Sequence, residues 1–135
     1  LPVYTPEHAA SRAERPEIEC WENQFPERDY VISVEAPEFT CVCPKTGLPD
    51  FATLRVEYVP DRLCLELKSF KMYLLAYRQM GIFHENVVNL ILNDVVAAAR
   101  PRRLEVAGIF NVRGGLQTTV RAVYEQPGDA SQTLA

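Results

Sequence analysis

No apolar run in these 135 residues approaches the ~18 that would cross a membrane. The first residues also lack the apolar core of a secretory signal. Neither membrane insertion nor secretion is expected, and the expected location is cytoplasmic. There is no excess of positive charge either. The 14 Lys and Arg are outnumbered by 18 Asp and Glu, giving a formal net charge of −4. That excludes a broad nucleic-acid-binding face, which would be basic, but leaves room for a local pocket that takes one small anion. Histidine is scarce, with His8 and His84 as the two in the chain, so a zinc site would be short of imidazole ligands. The four cysteines Cys20, Cys41, Cys43 and Cys64 need not be staples, because a chain of this length can bury a core without them. They read as reduced thiols. Repeats and low-complexity blocks are missing too. The chain begins at Leu1 rather than Met, so a start upstream is expected.

What is present has a clear order. Residues 1–27 are rich in Pro and Glu without a period and read as an irregular arm, with Trp21 and Phe25 expected to pin it to the body. Residues 28–125 read as one domain, and residues 126–135 as a flexible tail. Within the domain, "DYVISVEA" and "ATLRVEYV" alternate as strands. A turn at Pro60 and Asp61 follows, and "RLCLEL" is expected to extend the pairing. "SFKMYLLAYRQMG" places Phe70, Tyr73, Leu74 and Tyr77 on one helical face, with Ser69 as cap and Gly81 as stop. "HENVVNLILNDVVAAAR" has Val88, Ile91, Leu92, Val95 and Ala99 at helical spacing, ended by Pro101. "RRLEVAGIFNV" and "LQTTVRAVYE" read as two strands joined by a turn at Arg113-Gly114-Gly115. Leu104, Val106, Phe110 and Val112 share one face with Leu116, Val120, Ala122 and Tyr124. The expectation is therefore α+β: an antiparallel sheet in ββααββ order, apolar on the face its two helices cover and polar on the other. Exposed strand edges would be protected if subunits closed the sheets into a barrel.

Three stretches could carry chemistry. "FTCVCPKTG", residues 39–47, sets Cys43 before Pro44, with Asp50 seven residues on. A thiol becomes a good nucleophile when a neighbour takes its proton, and a carboxylate can do that and return it later. A buried small residue and a turn residue would give the same spacing. A Cys41–Cys43 disulfide would close too short a loop. "ELKSFKMY" puts Lys68 and Lys71 three apart at a helix start. Cations are not favoured there by the helix dipole, so either an anionic partner or plain solvation accounts for them. "FHEN" offers His84 beside Glu85, either a surface pair or a carboxylate able to read two parallel donors, such as the N1–H and amine of a guanine-like edge.

Taken in order, "FTCVCPKTGLPDFA", "LELKSFKMYL", "GIFHENVVNLILND" and "FNVRGG" resemble the NADPH-dependent nitrile reductases. The likeness is to the short form of the 7-cyano-7-deazaguanine reductases of queuosine biosynthesis, a route of tRNA modification, and covers roughly residues 25 to 125. "ELKSFKMY" fits that family's signature, and Cys41, where Ser is expected, is the one departure. The resemblance implies a tunnelling fold and a homo-oligomer of two stacked pentamers, a decamer with sites between subunits. It implies a small deazapurine substrate and no direct nucleic-acid partner. Cys43 would add to the nitrile carbon to give a thioimide, Asp50 would move protons, and His84 would position substrate and intermediate. Glu85 would read the deazaguanine edge, with Leu65, Glu66 and Leu67 nearby. Lys68 and Lys71 would hold NADPH phosphates, with Arg113 a further candidate. Two NADPH would be used and no catalytic metal. The alternatives are a zinc-dependent cyclohydrolase of the same fold and a non-catalytic assembly protein.

Overall fold

The computed structural model describes residues 14–128. Six strands and two helices follow in the order β1 (Cys20–Glu22), β2 (Ile32–Val42), β3 (Pro49–Val59), β4 (Leu63–Leu65), α1 (Leu67–Leu75), a 3₁₀ turn (Ala76–Gln79), α2 (His84–Ala99), β5 (Arg103–Phe110) and β6 (Thr119–Glu125). The main sheet is antiparallel in the order β2-β3-β5-β6. This is the expected α+β arrangement, with both helices inserted between the two strand pairs.

The alternation read from the sequence sets the inward face. Along β3 the residues Asp50, Ala52, Leu54, Val56 and Tyr58 are buried and their neighbours are not. On β5, Leu104, Val106 and Phe110 are buried in the same core. On the helix side Val87, Val88, Ile91, Val95 and Ala99 of α2 meet them in one core that also takes Phe70, Tyr73 and Tyr77. Each fully buried Val or Ile there contributes about 1.5–3 kcal/mol from apolar area removed from water. On β2 the phase changes midway. The register slips by one residue between Ala36 and Phe39, beside Pro37. Ile32, Val34 and Ala36 face inward before the bulge, and Phe39 and Cys41 after it. Cys41 thus lies on the side that the even-numbered residues occupied earlier.

Several details depart from the sequence expectation. β4 does not extend the pairing with β3. It pairs with β1, Trp21 opposite Cys64, because β3 is already flanked by β2 and β5 and has no edge left. The 1–27 arm is therefore not irregular throughout. Phe25, 53% exposed, does not pin it, whereas Trp21, though 50% exposed, ties it to β4 through its pairing with Cys64 and an indole N–H bond to Leu65 O at 3.3 Å. Buried Ile18 and Asn23 pin it as well, together with the Arg15–Asp94 ion pair of 2.8 Å. Ser69 is not the cap of α1. Glu66 is, and its carboxylate accepts from the N–H groups of Lys68 at 2.8 Å and Ser69 at 2.7 Å. The Ser69 hydroxyl instead accepts from Glu19 N–H at 2.8 Å and so ties the helix to the arm. Gly81 is not a helix stop. The helix has already tightened into its 3₁₀ turn, and the segment at Gly81 bridges β2, with Val42 exchanging hydrogen bonds with Met80 and Ile82. Val112 and Leu116 lie beyond the strands and are 64% and 76% exposed. At the end of α2, Arg100 takes a left-handed conformation (φ 46°) before Pro101. Residues 129–135 of the expected tail lie outside those described.

Candidate active site

β2 ends at Val42, and the chain turns back at once to β3. Cys43 N–H donates to Leu48 O at 2.9 Å, and Gly47 N–H returns to Cys43 O at 2.8 Å. Gly47 takes a positive φ of 73°, which a glycine adopts without strain. The turn places Cys43 just past the ladder pairs Cys41–Asp50 and Val42–Pro49, so thiol and carboxylate meet at one end of the sheet. Both line a cleft of about 300 Å³ with Thr46, His84, Phe110 and Arg113.

The two neighbouring thiols are unequal. At Cys43, partial burial and the Asp50 charge oppose ionisation. A hydrogen bond from the Thr46 side chain and others from the N–H groups of Thr46 and Lys45 outweigh them and hold the thiol below its ordinary value. At Cys41 burial dominates, the Asp50 and Cys43 charges add to it, and the thiol is pushed up to about 12. Cys41 is fully buried and only packs.

Asp50 is buried because the inward phase of β3 puts it in line with Ala52 and Leu54. Its two oxygens have separate partners. Oδ2 lies 3.1 Å from His84 Nε2, and Oδ1 lies 2.9 Å from Arg113 Nη1. Arg113 also donates through Nη2 to the Pro49 carbonyl. It reaches back because Gly114 and Gly115, both at positive φ, close a two-residue turn in which Arg113 and Leu116 exchange hydrogen bonds of 2.9 and 3.0 Å. His84 opens α2, and its ring lies flat on Phe110, with centroids 3.7 Å apart and planes 6° from parallel. A thiol inclined to ionise, beside a carboxylate flanked by an imidazole and a guanidinium, can add to an electrophilic carbon and shuttle protons.

The sequence candidates divide into two groups. Cys43, Asp50, His84 and Arg113 share this cleft. Arg113, expected at a cofactor phosphate, is engaged on Asp50. Leu67 and Lys71 lie elsewhere, on a second cleft of about 340 Å³ between β2 and α1 that Phe70, Leu74 and Arg78 also line. Lys68 is exposed on the same helix start. Glu66 is occupied by its capping bonds, which hold its carboxyl below the usual range. The Leu65 carbonyl accepts from Trp21 Nε1 at 3.3 Å. Glu85 is exposed on the first turn of α2. Thr46 and Phe110 were missed as site residues. The strand phase of Phe110 was visible, but a hydroxyl three residues from a cysteine has no distinguishing pattern.

Residues 49–129 match the model of the QueF-like protein family. A protein of Elusimicrobium minutum (strain Pei191) is 58% identical over 125 residues, 91% of this chain and 94% of its own length. One of Nitrosococcus oceani is 58% identical over 112 residues, covering 83% and 87%. One of Halorhodospira halophila is 59% identical over 105 residues, covering 78% and 89%. All three carry the name NADPH-dependent 7-cyano-7-deazaguanine reductase. Among solved structures, the apo form of the archaeosine synthase QueF-Like superposes with a TM-score of 0.65 at 27% identity, covering 69% of this chain and 91% of that one.

Proposed function

Since this chain belongs to the QueF-like family, we propose that the Cys43 cleft is where it carries out the NADPH-dependent reduction of 7-cyano-7-deazaguanine. The chain is an oxidoreductase acting on a small molecule. The observation that carries the assignment of the site is the lowered Cys43 thiol in one cleft with buried Asp50. Cys43 adds as thiolate to the nitrile carbon, and the nitrile nitrogen takes a proton, giving a thioimide on the sulfur. Asp50 receives the thiol proton and returns protons to nitrogen as the reduction proceeds. Once the thioimide carbon has gained a first hydride, expulsion of the Cys43 thiolate releases an imine, and a second hydride with a proton completes the amine. NADPH supplies a hydride to carbon when bound, and two are used because nitrile to amine is a four-electron change. His84 keeps Asp50 oriented and faces the bound intermediate.

The second cleft suits the dinucleotide. Phe70 and Leu74 give it apolar walls, and Lys71 and Arg78 supply charge for phosphates, with Lys68 beside them. Glu35 and Glu38 also line it, so the cations on the α1 side carry the anion preference. This cleft and the Cys43 cleft share no lining residue. A complete site thus joins the Cys43 cleft of one subunit to Glu66, Leu67, Lys68 and Lys71 of another, with Glu85 reading the deazaguanine edge and Leu65 behind it. A homo-oligomer built on β2 and β6, the end strands of the main sheet, would bring them together, and two stacked pentamers are the proposed form. The zinc-dependent alternative has no support in the relatives, and no group of three or more His, Cys, Asp or Glu that could hold a metal occurs among the described residues. No helix of the described residues is long and apolar enough to cross a membrane; a cytoplasmic location for queuosine biosynthesis is part of the proposal.

Mass spectrometry after mixing the protein with 7-cyano-7-deazaguanine, without NADPH, is expected to show an adduct of substrate mass on Cys43. An adduct that persists in Cys43→Ala would overturn the assignment. Native mass spectrometry reads the subunit number, and a monomer would remove the shared site.

A further inference from the structure

We propose that Phe110 and Gly108 are positioning residues for the His84–Asp50 pair. The Phe110 ring fixes the plane of the imidazole, and the absent Cβ of Gly108 is the space that lets the ring lie there. The catalytic consequence rests on the reading of Asp50 and His84 given above.

One hydrogen bond from Nε2 to Asp50 fixes a point on the imidazole but leaves its plane free to turn. The Phe110 ring removes that freedom, 3.7 Å away and 6° from parallel. The packing beneath the Phe110 ring sets where that ring lies. Phe110 is 1% exposed at the inward end of β5, two residues from Gly108 and on the same face. A Cβ on Gly108 would stand 2.9 Å from Phe110 Cε1 and 2.9 Å from Val88 Cγ2. Real Cβ atoms do not approach so closely, so a methyl group there must displace both. Val88 is one helical turn beyond His84 on α2. Gly108 therefore governs the ring on which the imidazole rests and how near the sheet the helix carrying it can lie. Beyond the imidazole, Asp50 Oδ1 is held by Arg113, so an error in the His84 plane reaches the carboxylate through Oδ2.

The chain has two histidines, and ¹⁵N-histidine labelling with His8→Gln assigns the His84 signals in the intact protein. Phe110→Leu keeps an apolar side chain and removes the flat face. The expected result is loss of the ring-current shielding of the His84 ring protons together with loss of the protected Nε2–H signal. kcat is expected to fall by about 10–100-fold, as for a catalytic group displaced by an ångström, with KM for NADPH unchanged. Gly108→Ala should move the same signals, and the loss in Gly108→Ala/Phe110→Leu should fall short of the two single losses combined, since both variants disturb the one ring. Unaltered His84 signals in Phe110→Leu would overturn the proposal, as would full additivity in the double variant. Displaced signals with unchanged kcat would uphold the positioning and overturn the role of the His84–Asp50 pair in catalysis. Should Gly108→Ala fail to fold, Phe110→Leu still decides the matter.

Discussion

Replacing Thr46 by Val tests how the Cys43 thiol is set. The substitution keeps the shape and removes one side-chain donor, while the N–H groups of Thr46 and Lys45 that also favour the thiolate remain. A hydrogen bond to a charged group is worth about 1.5 kcal/mol at the low end, and one pH unit corresponds to about 1.36 kcal/mol. Cys43 is only half-buried, so solvent weakens the interaction, and the expected rise is about 0.5–1 pH unit. The sign follows from which form is lost: without the donor the thiolate is less stable, so a higher pH is needed to form it. The assay is the rate of iodoacetamide alkylation against pH, with the modified residue located by mass spectrometry. Wild type is expected to react through Cys43 with a midpoint below that of an ordinary thiol. Cys41, buried and pushed up to about 12, should stay unmodified. A Thr46→Val midpoint equal to the wild-type one would refute this account of the thiol.

Other perturbations probe the frame around the site. Arg113→Met leaves a buried Asp50 oxygen without its charged partner; because the Arg113 side chain is 47% exposed, the cost should be about 1–2 kcal/mol in urea denaturation at neutral pH, below that of a fully buried pair. Ile91→Ala removes a fully buried side chain from the middle of α2 and should cost about 2–5 kcal/mol in the same measurement. Glu66→Ala should lower the melting temperature near neutral pH. The capping bonds depress the folded Glu66 carboxyl, so its contribution is fully present above the ordinary value of about 4.3 and is lost as pH falls through the lower folded value. The melting curves of wild type and Glu66→Ala should therefore converge in acid, and a constant gap down to low pH would count against the cap.

Much of the site was legible residue by residue but not as an arrangement. Cys43 was distinguishable from Cys41 by the Pro44–Gly47 turn. Asp50 was named as its proton partner, although the phase that buries Asp50 was already present in the alternation of Ala52, Leu54, Val56 and Tyr58. Glu66 was read as a substrate contact, and its place three residues before Ser69 concealed a helix cap. Arg113 was read by type, as a cation for phosphates, and its ion pair with Asp50 was invisible because the two lie 63 positions apart in the chain.

Periodicity by itself determined the inward residues of β3 and the apolar face of α2, and the local motif identified the thiol. These follow from backbone geometry within a few residues. Tertiary structure decided the rest. It set the bulge beside Pro37 that turns Cys41 inward and the choice of β1 rather than β3 as partner for β4. It also set the meeting of Asp50 with His84 from 34 residues away, over a ring that the space at Gly108 admits. Local pattern fixes the direction of a side chain. Its partner depends on which elements pack together, and that is settled only when the whole core closes.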